Sequence, residues 1–406
     1  MRVSLICAAG AAALVGALVS VPLTAGPPKP GLAPAAAQDD YGRRPMRTPS
    51  PFVPRKRVTA QFLSAQAETV GWGLKDTGIK VAAAWNVTKG KGVKVAILDT
   101  GVDDTHPELV GRVVAKKDFT NSPSGDKDVQ GHGTHCAGIV AMAQNGQGYV
   151  GVAPEAEIIS GKVLGDNGQG DFEWLRLGIL WAIEQKADVI SMSLGSGPTS
   201  EPPTVFFPAL RTAIKQAVDA GIIVVAAAGN EGPNDNTTGY PGKYPEVVTV
   251  AASDINRNIA SFSSRGTEVD VAAPGDNIFS SIPNGQYAEW DGTSMATPMV
   301  AGVAALYVAS KKAQPAPGNK PDPAEFRKLI ETTSFTQNAK PPSAHSGWGL
   351  IQAPAFVTTP AGKPPAMGGS ITFNKDDFTP AGLLKVKVAG PDLETWTLKY
   401  DAIPPK

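Results

Sequence analysis

Short, unbroken apolar runs alternate with stretches of helical periodicity through the middle of this chain. Residues 93–98 read Val-Lys-Val-Ala-Ile-Leu and end on Asp99, a pattern that predicts a buried strand. Similar runs at 157–163, 188–193, 221–227 and 247–251 predict further strands. Helical patterns at 132–143, 171–185 and 207–219 lie between them, the last closing near Gly221. Strands apolar at nearly every position, alternating with helices, imply a mostly parallel sheet covered on both faces. The expected fold class is therefore α/β, a three-layer sandwich. Ligands of such sheets bind beyond the carboxyl ends of the strands, where Asp99 and Asn230 fall.

The ends of the chain break this pattern. Arg2 precedes a small, apolar run over residues 3–21, and Ala35-Ala36-Ala37 offers a cleavage site, which predicts a secretory signal peptide over 1–37. Residues 38–62 are rich in proline and in basic side chains, including Arg43, Arg44, Arg47, Arg55, Lys56 and Arg57. They read as a solvated linker or as a processing site for another protease. The main domain is expected over 63–357. A Pro-rich linker and strand-like runs at 371–373, 384–388 and 396–400 follow, so 358–406 is read as a β-rich C-terminal extension. About 40 residues are too few for a comfortable core of their own.

Charge and cysteine count narrow the function. The 406 residues balance 37 basic against 37 acidic side chains, so no long-range field favours nucleic acid or an anionic membrane. With the signal removed, the expectation is a protein outside the cytoplasm, extracellular or periplasmic, with no membrane association and a monomeric state. Cys7 lies in the signal segment, which leaves Cys136 alone and excludes an intrachain disulfide.

Four histidines occur, His106, His132, His135 and His345, so a search for a general base is short. A serine hydroxyl becomes a nucleophile only when a base takes its proton and a third group holds that base. Three segments carry these groups: Ala96 to Asp103 around Asp99, Gly131 to Gly138 around His132, and Asp291 to Pro298 around Ser294. In this order, and with these flanking residues, the chain resembles the subtilisin-like serine proteases from about Trp72 to Ala353. The resemblance implies a serine endopeptidase of broad specificity acting on polypeptides. Asp99, His132 and Ser294 would form the triad, and Asn230, with the Ser294 N–H, would hold the oxyanion. His135 and His106 are expected to be structural.

By the same resemblance, Gly168-Gln169-Gly170 and Ser193-Leu194-Gly195 would be the two edges that hold an extended substrate. Ala227, Ala228 and Gly229 would wall the P1 pocket, Gly239 would floor it and Glu231 would stand at its rim. Phe172 would line a second apolar pocket. No acid is expected at the base of the P1 pocket, which favours large apolar side chains there. The loop 143–149 resembles the family's calcium loop, with Asn145 and the carbonyls of Ala143, Gln147 and Tyr149 as ligands, joined by Glu108 and Glu68. Oxygen ligands of this kind suit Ca2+. The family's secreted members carry a folded propeptide, for which 38–62 is too short, so either folding is unassisted or an extended stretch such as 51–54 fills the cleft. A thiol one helical turn after His132 would be a buried structural cysteine, through which a mercurial could inhibit.

Two other classes compete with this reading. A catalytically silent binding domain is disfavoured because triad, oxyanion asparagine and pocket glycines are all present. An α/β-hydrolase esterase would run Ser, Asp, His with Gly-x-Ser-x-Gly, whereas this chain runs Asp, His, Ser with Gly-x-Ser-x-Ala.

Overall fold

The computed structural model describes residues 68–201, 207–314, 320–336 and 341–357, together with the backbone of four short strands outside those ranges. In chain order the first elements are β1 (Pro45–Arg47), β2 (Lys56–Thr59), α1 (Val81–Trp85), β3 (Lys94–Asp99), β4 (Val113–Asp118), α2 (His132–Ala141), β5 (Glu157–Lys162) and β6 (Gln169–Asp171). Then come α3 (Phe172–Glu184), β7 (Val189–Met192), α4 (Pro208–Asp219), β8 (Ile223–Ala227), β9 (Val248–Ser253) and β10 (Val271–Pro274). The chain continues with β11 (Ile278–Ile282), β12 (Gln286–Trp290), α5 (Thr293–Lys312), α6 (Pro323–Thr333), β13 (Leu383–Lys385) and β14 (Thr397–Lys399).

Seven strands make one sheet in the order β10-β9-β8-β7-β3-β5-β4, and every neighbouring pair is parallel. Successive strand side chains point to opposite faces. Val95 and Ile97 of β3 accordingly join the core that contains α2 and α5, while Ala96 and Leu98 join the core that contains α3 and α4. The sheet is thus the middle of three layers. Both faces are covered, which is why the sequence showed continuous apolar runs instead of alternation.

Edge strand β4 escaped the sequence pattern. It carries Lys116 and Lys117, is only partly buried and has a register shift between Val113 and Ala115. Charged side chains and a bulge are common on an edge that must not recruit another strand. Outside the main sheet, β11 and β12 form an antiparallel hairpin to which β2 adds, and β1 pairs antiparallel with β6. In the tail, β13 pairs with β14; the run at 371–373 lies outside the described residues, as do 1–44.

Helix α5 is the centre of the packing. Its residues 293–310 are all buried, and its length and composition alone would suit a membrane crossing. Here that composition serves burial against β7, β8, β9 and α2 instead. Pro298 lies inside this helix. Lacking an N–H, it cannot donate to the carbonyl four residues earlier, that of Ser294. The freed carbonyl accepts the Ser193 hydroxyl at 2.8 Å and faces the Cys136 sulfur at 3.5 Å.

Candidate active site

Strand β3 delivers Asp99 at its carboxyl end, and α2 begins at His132, directly opposite. Their side chains meet: His132 Nδ1 and Asp99 Oδ1 are 2.7 Å apart, with both groups almost completely buried. Burial is the largest influence and would lower the His132 pKa, but the Asp99 carboxylate and the Cys136 side chain together outweigh it and hold the imidazole well above its usual value. Close approach is possible because residue 133 is a glycine. A Cβ there would run into the Gly101 carbonyl and lie 3.2 Å from the Asp99 Cβ.

Ser294 sits in the first turn of α5, behind Gly292. Its hydroxyl donates to the Ser193 carbonyl at 3.3 Å. Cys136, one turn along α2, joins the two regions: its sulfur is 3.9 Å from His132 Nδ1 and 3.5 Å from the Ser294 carbonyl. The ligand atoms of Asp99, His132 and Cys136 lie within 4.8 Å of one another, a spacing at which a metal ion could be held.

Asn230 follows β8 and is 7% exposed. Its Oδ1 accepts the Thr293 N–H at 2.9 Å and the Thr293 hydroxyl at 2.8 Å, which orients the amide. Gly292 then leaves a small space. A Cβ there would lie 3.3 Å from Asn230 Nδ2 and 3.4 Å from the Ser294 N. An oxygen atom near that point would have two nitrogen donors at hydrogen-bonding range.

The residues expected to form the substrate edges fall on or beside strands. Residues Gln169 and Gly170 lie in β6, and Gly168 turns into it with a positive φ of 71°. On the other side Ser193 and Leu194 follow β7, next to Gly195. Ala227 ends β8 and Ala228 and Gly229 follow it, and the Gly239 N–H bonds the Ala228 carbonyl at 3.2 Å. Glu231 accepts the Ser264 hydroxyl at 3.0 Å; burial raises its pKa, a shift that hydrogen bonding from Ser264 partly offsets. Phe172 is fully buried, its ring centroid 6.1 Å from that of Phe207, so it belongs to the core beneath this region.

A second cluster gathers around loop 143–149. Asn145 Nδ2 donates to Glu108 Oε2 at 3.0 Å, and the Gly146 N–H donates to Glu68 Oε2 at 3.0 Å. Gln147 N–H bonds Asn145 Oδ1, Ala143 N–H bonds the Glu108 carbonyl, and Tyr149 stacks on Phe279. Burial raises the Glu108 pKa, bonds from Tyr287 and Asn145 oppose this, and the Glu68 charge adds to it.

Three features of the site emerge only in three dimensions. β1 occupies the β6 edge with Met46 opposite Gly170 and Arg47 opposite Gln169. Trp290 stacks on His135 at 4.3 Å between ring centroids, and His135 Nε2 lies 3.1 Å from the Ala288 carbonyl; burial pushes the His135 pKa down to about 3. Lys162 is wholly buried, donating to the Thr100 carbonyl at 2.7 Å.

A buried carboxylate–imidazole pair at the carboxyl rim of a parallel sheet, joined through Cys136 to the turn that carries Ser294, has the make-up of a serine hydrolase. Comparison with known sequences identifies which kind. The profile of the subtilase family matches residues 90–349, and the chain belongs to that family. An intracellular serine protease of Paenibacillus polymyxa is 50% identical over 235 residues, covering 56% of this chain and 70% of the relative. Thermitase of Thermoactinomyces vulgaris is 45% identical over 229 residues, covering 56% and 79%. A subtilisin of Bacillus pumilus is 41% identical over 292 residues, covering 71% and 99%. This protein is a subtilase-type serine endopeptidase that hydrolyses polypeptides.

Proposed function

We propose that Ser294 is the nucleophile of an exported endopeptidase, activated by His132 and Asp99. His132 Nε2 takes the serine proton as Oγ attacks the scissile carbonyl, and returns it to the leaving amine. Asp99 accepts the Nδ1–H and stabilises the imidazolium. Asn230 Nδ2 and the Ser294 N–H take the oxyanion, in the space that Gly292 leaves. The observation that carries this reading is the buried 2.7 Å contact of His132 with Asp99. A fluorophosphonate probe tests it: labelling of Ser294, and loss of both label and proteolysis in S294A, is expected. Absence of label on folded, processed protein would favour the silent binding domain.

Substrate backbone is expected on the edges at 168–170 and 193–195. The alanine and glycine walls at 227–229 and Gly239 support apolar P1 side chains, with Glu231 at the rim. Pairing of β1 with β6 places the N-terminal segment on one of these edges, which supports 38–62 as a removable segment ahead of a domain over 63–357. The suggested occupant 51–54 lies outside the described residues.

Glu68, Glu108 and Asn145 hydrogen-bond around one loop and carry oxygens of the kind that suits a calcium ion, with the carbonyls of Ala143, Gln147 and Tyr149 completing the set. Bound there, calcium would neutralise two neighbouring carboxylates and fasten the loop. Export is supported by Arg2 and the apolar run after it, although two relatives are named intracellular enzymes. A monomer is the accompanying reading of oligomeric state.

A further inference from the structure

Asp128 stands in the loop before α2, and its side chain is buried, 5% exposed. Its Oδ1 accepts from the Thr100 hydroxyl at 2.9 Å, the Gln130 N–H at 3.1 Å and the Gly131 N–H at 2.7 Å. Its Oδ2 accepts from the N–H and hydroxyl of Thr134 at 2.9 and 2.7 Å. The first N–H groups of a helix have no intrahelical partner, so a carboxylate at this end satisfies several at once and sits favourably against the helix dipole. Burial raises the Asp128 pKa, and the hydrogen bonds from Thr134, Gly131 and Thr100 oppose that shift.

Thr100 turns this cap into a link between two segments. With its proton given to Asp128, the hydroxyl accepts the Gly133 N–H at 2.9 Å. Its own N–H donates at 2.8 Å to Asp99 Oδ1, the oxygen that meets His132. A closed path therefore runs from Asp99 through Thr100 and Asp128 to the residues on both sides of His132. Lys162 braces the same path by donating to the Thr100 carbonyl at 2.7 Å and the Lys127 carbonyl at 3.2 Å.

We propose that Asp128 is a positioning residue for peptide hydrolysis: through the Thr100 hydroxyl it sets the approach of His132 to Asp99. The proposal rests on the assignment of that pair to proton transfer. Asparagine in its place would keep the volume but turn an NH2 group toward N–H and O–H donors, so at least part of the array must break. A shift of the imidazole by about 1 Å would follow, without any change in the edges that bind substrate.

The test compares processed wild type, D128N, T100V, T100S and the double variant D128N/T100V on a soluble peptide substrate. Misplacement of a catalytic group by about 1 Å costs on the order of 10²-fold in rate, so D128N and T100V should lose about that in kcat. KM should change little, since substrate contacts are untouched. T100S, which keeps the hydroxyl, should recover most of the rate. The double variant should be no slower than the slower single, because both break one path. The low-field proton resonance of His132 Nδ1–H should shift in D128N and T100V but not in T100S. Folded D128N and T100V with wild-type kcat, or losses that multiply in the double variant, would overturn the proposal. If D128N does not fold, T100V against T100S decides alone. A wild type that fluorophosphonate fails to label would instead remove the assignment of the pair itself.

Discussion

The Cys136 sulfur lies 3.9 Å from Nδ1 of His132, on the same face of α2 and one turn later. Burial raises the thiol pKa, so it is a neutral, enclosed group and not a second nucleophile. A bulky mercurial attached there would press on the imidazole and on the Ser294 carbonyl, 3.9 and 3.5 Å from the sulfur. Labelling of Cys136 should therefore abolish proteolysis, and C136A should be active and indifferent to the reagent. Full activity after labelling confirmed by mass spectrometry would contradict this.

Asn230→Ala should remove one oxyanion donor and leave the fold intact. The expected loss is about 10²–10³-fold in kcat, or roughly 2.7–4 kcal/mol, the magnitude known for the oxyanion asparagine of a subtilisin, a member of this same family. KM should remain close to wild type. Steady-state kinetics on a peptide anilide will check both.

The pH profile should report the Asp99–His132 pair. Burial lowers the imidazole pKa, and Asp99 and Cys136 together raise it by more. A general base must be unprotonated, so kcat/KM should rise with pH through a value above 6.5. In D99N the raising charge is gone, and the residual activity should have its acid limb at lower pH. An unshifted limb would mean that another group controls it.

Calcium removal should destabilise the protein. Saturating calcium at about 100 times its Kd would add about 2.7 kcal/mol to stability. A chelator should lower Tm in the wild type, and Glu108→Gln should lose most of the calcium-dependent increment. Equal melting with and without calcium would leave loop 143–149 as an ordinary polar turn.

The β1 strand should compete with substrate. A chain in which Met46 is replaced by proline loses a backbone N–H, which weakens any ladder that uses it. Before processing, M46P should hydrolyse small peptides faster than the unsubstituted precursor, with a lower KM. After processing the two should be the same.

The centre of the fold and the residues at its rim were legible for chemical reasons. β3, β5, β7, β8 and β9 carry unbroken apolar runs because both sheet faces are covered, and the structure starts and ends them within about two residues of the expected places. Asp99, His132 and Ser294 stood out because few histidines are available and the flanking glycines are specific. Other parts carry weaker signals. Lys116 and Lys117 disguise β4, whose partner is β5 alone. Asp128 and Thr100 are common residue types whose importance comes only from where the loop folds. Likewise, nothing in the local sequence around Pro45–Arg47 names β6 as its partner, since strand pairing across more than 100 residues is a tertiary event.

Because α5 is enclosed along residues 293–310, the serine it carries cannot move far without opening the middle of the molecule. For a peptidase surrounded by copies of itself, that has a consequence for lifespan. Neighbouring molecules can cut only what reaches a cleft in extended form, so self-digestion should begin at surface stretches that open locally at little cost. Nicked molecules should keep their catalytic power until the sheet itself gives way, and loss of activity on storage should then be abrupt for each molecule.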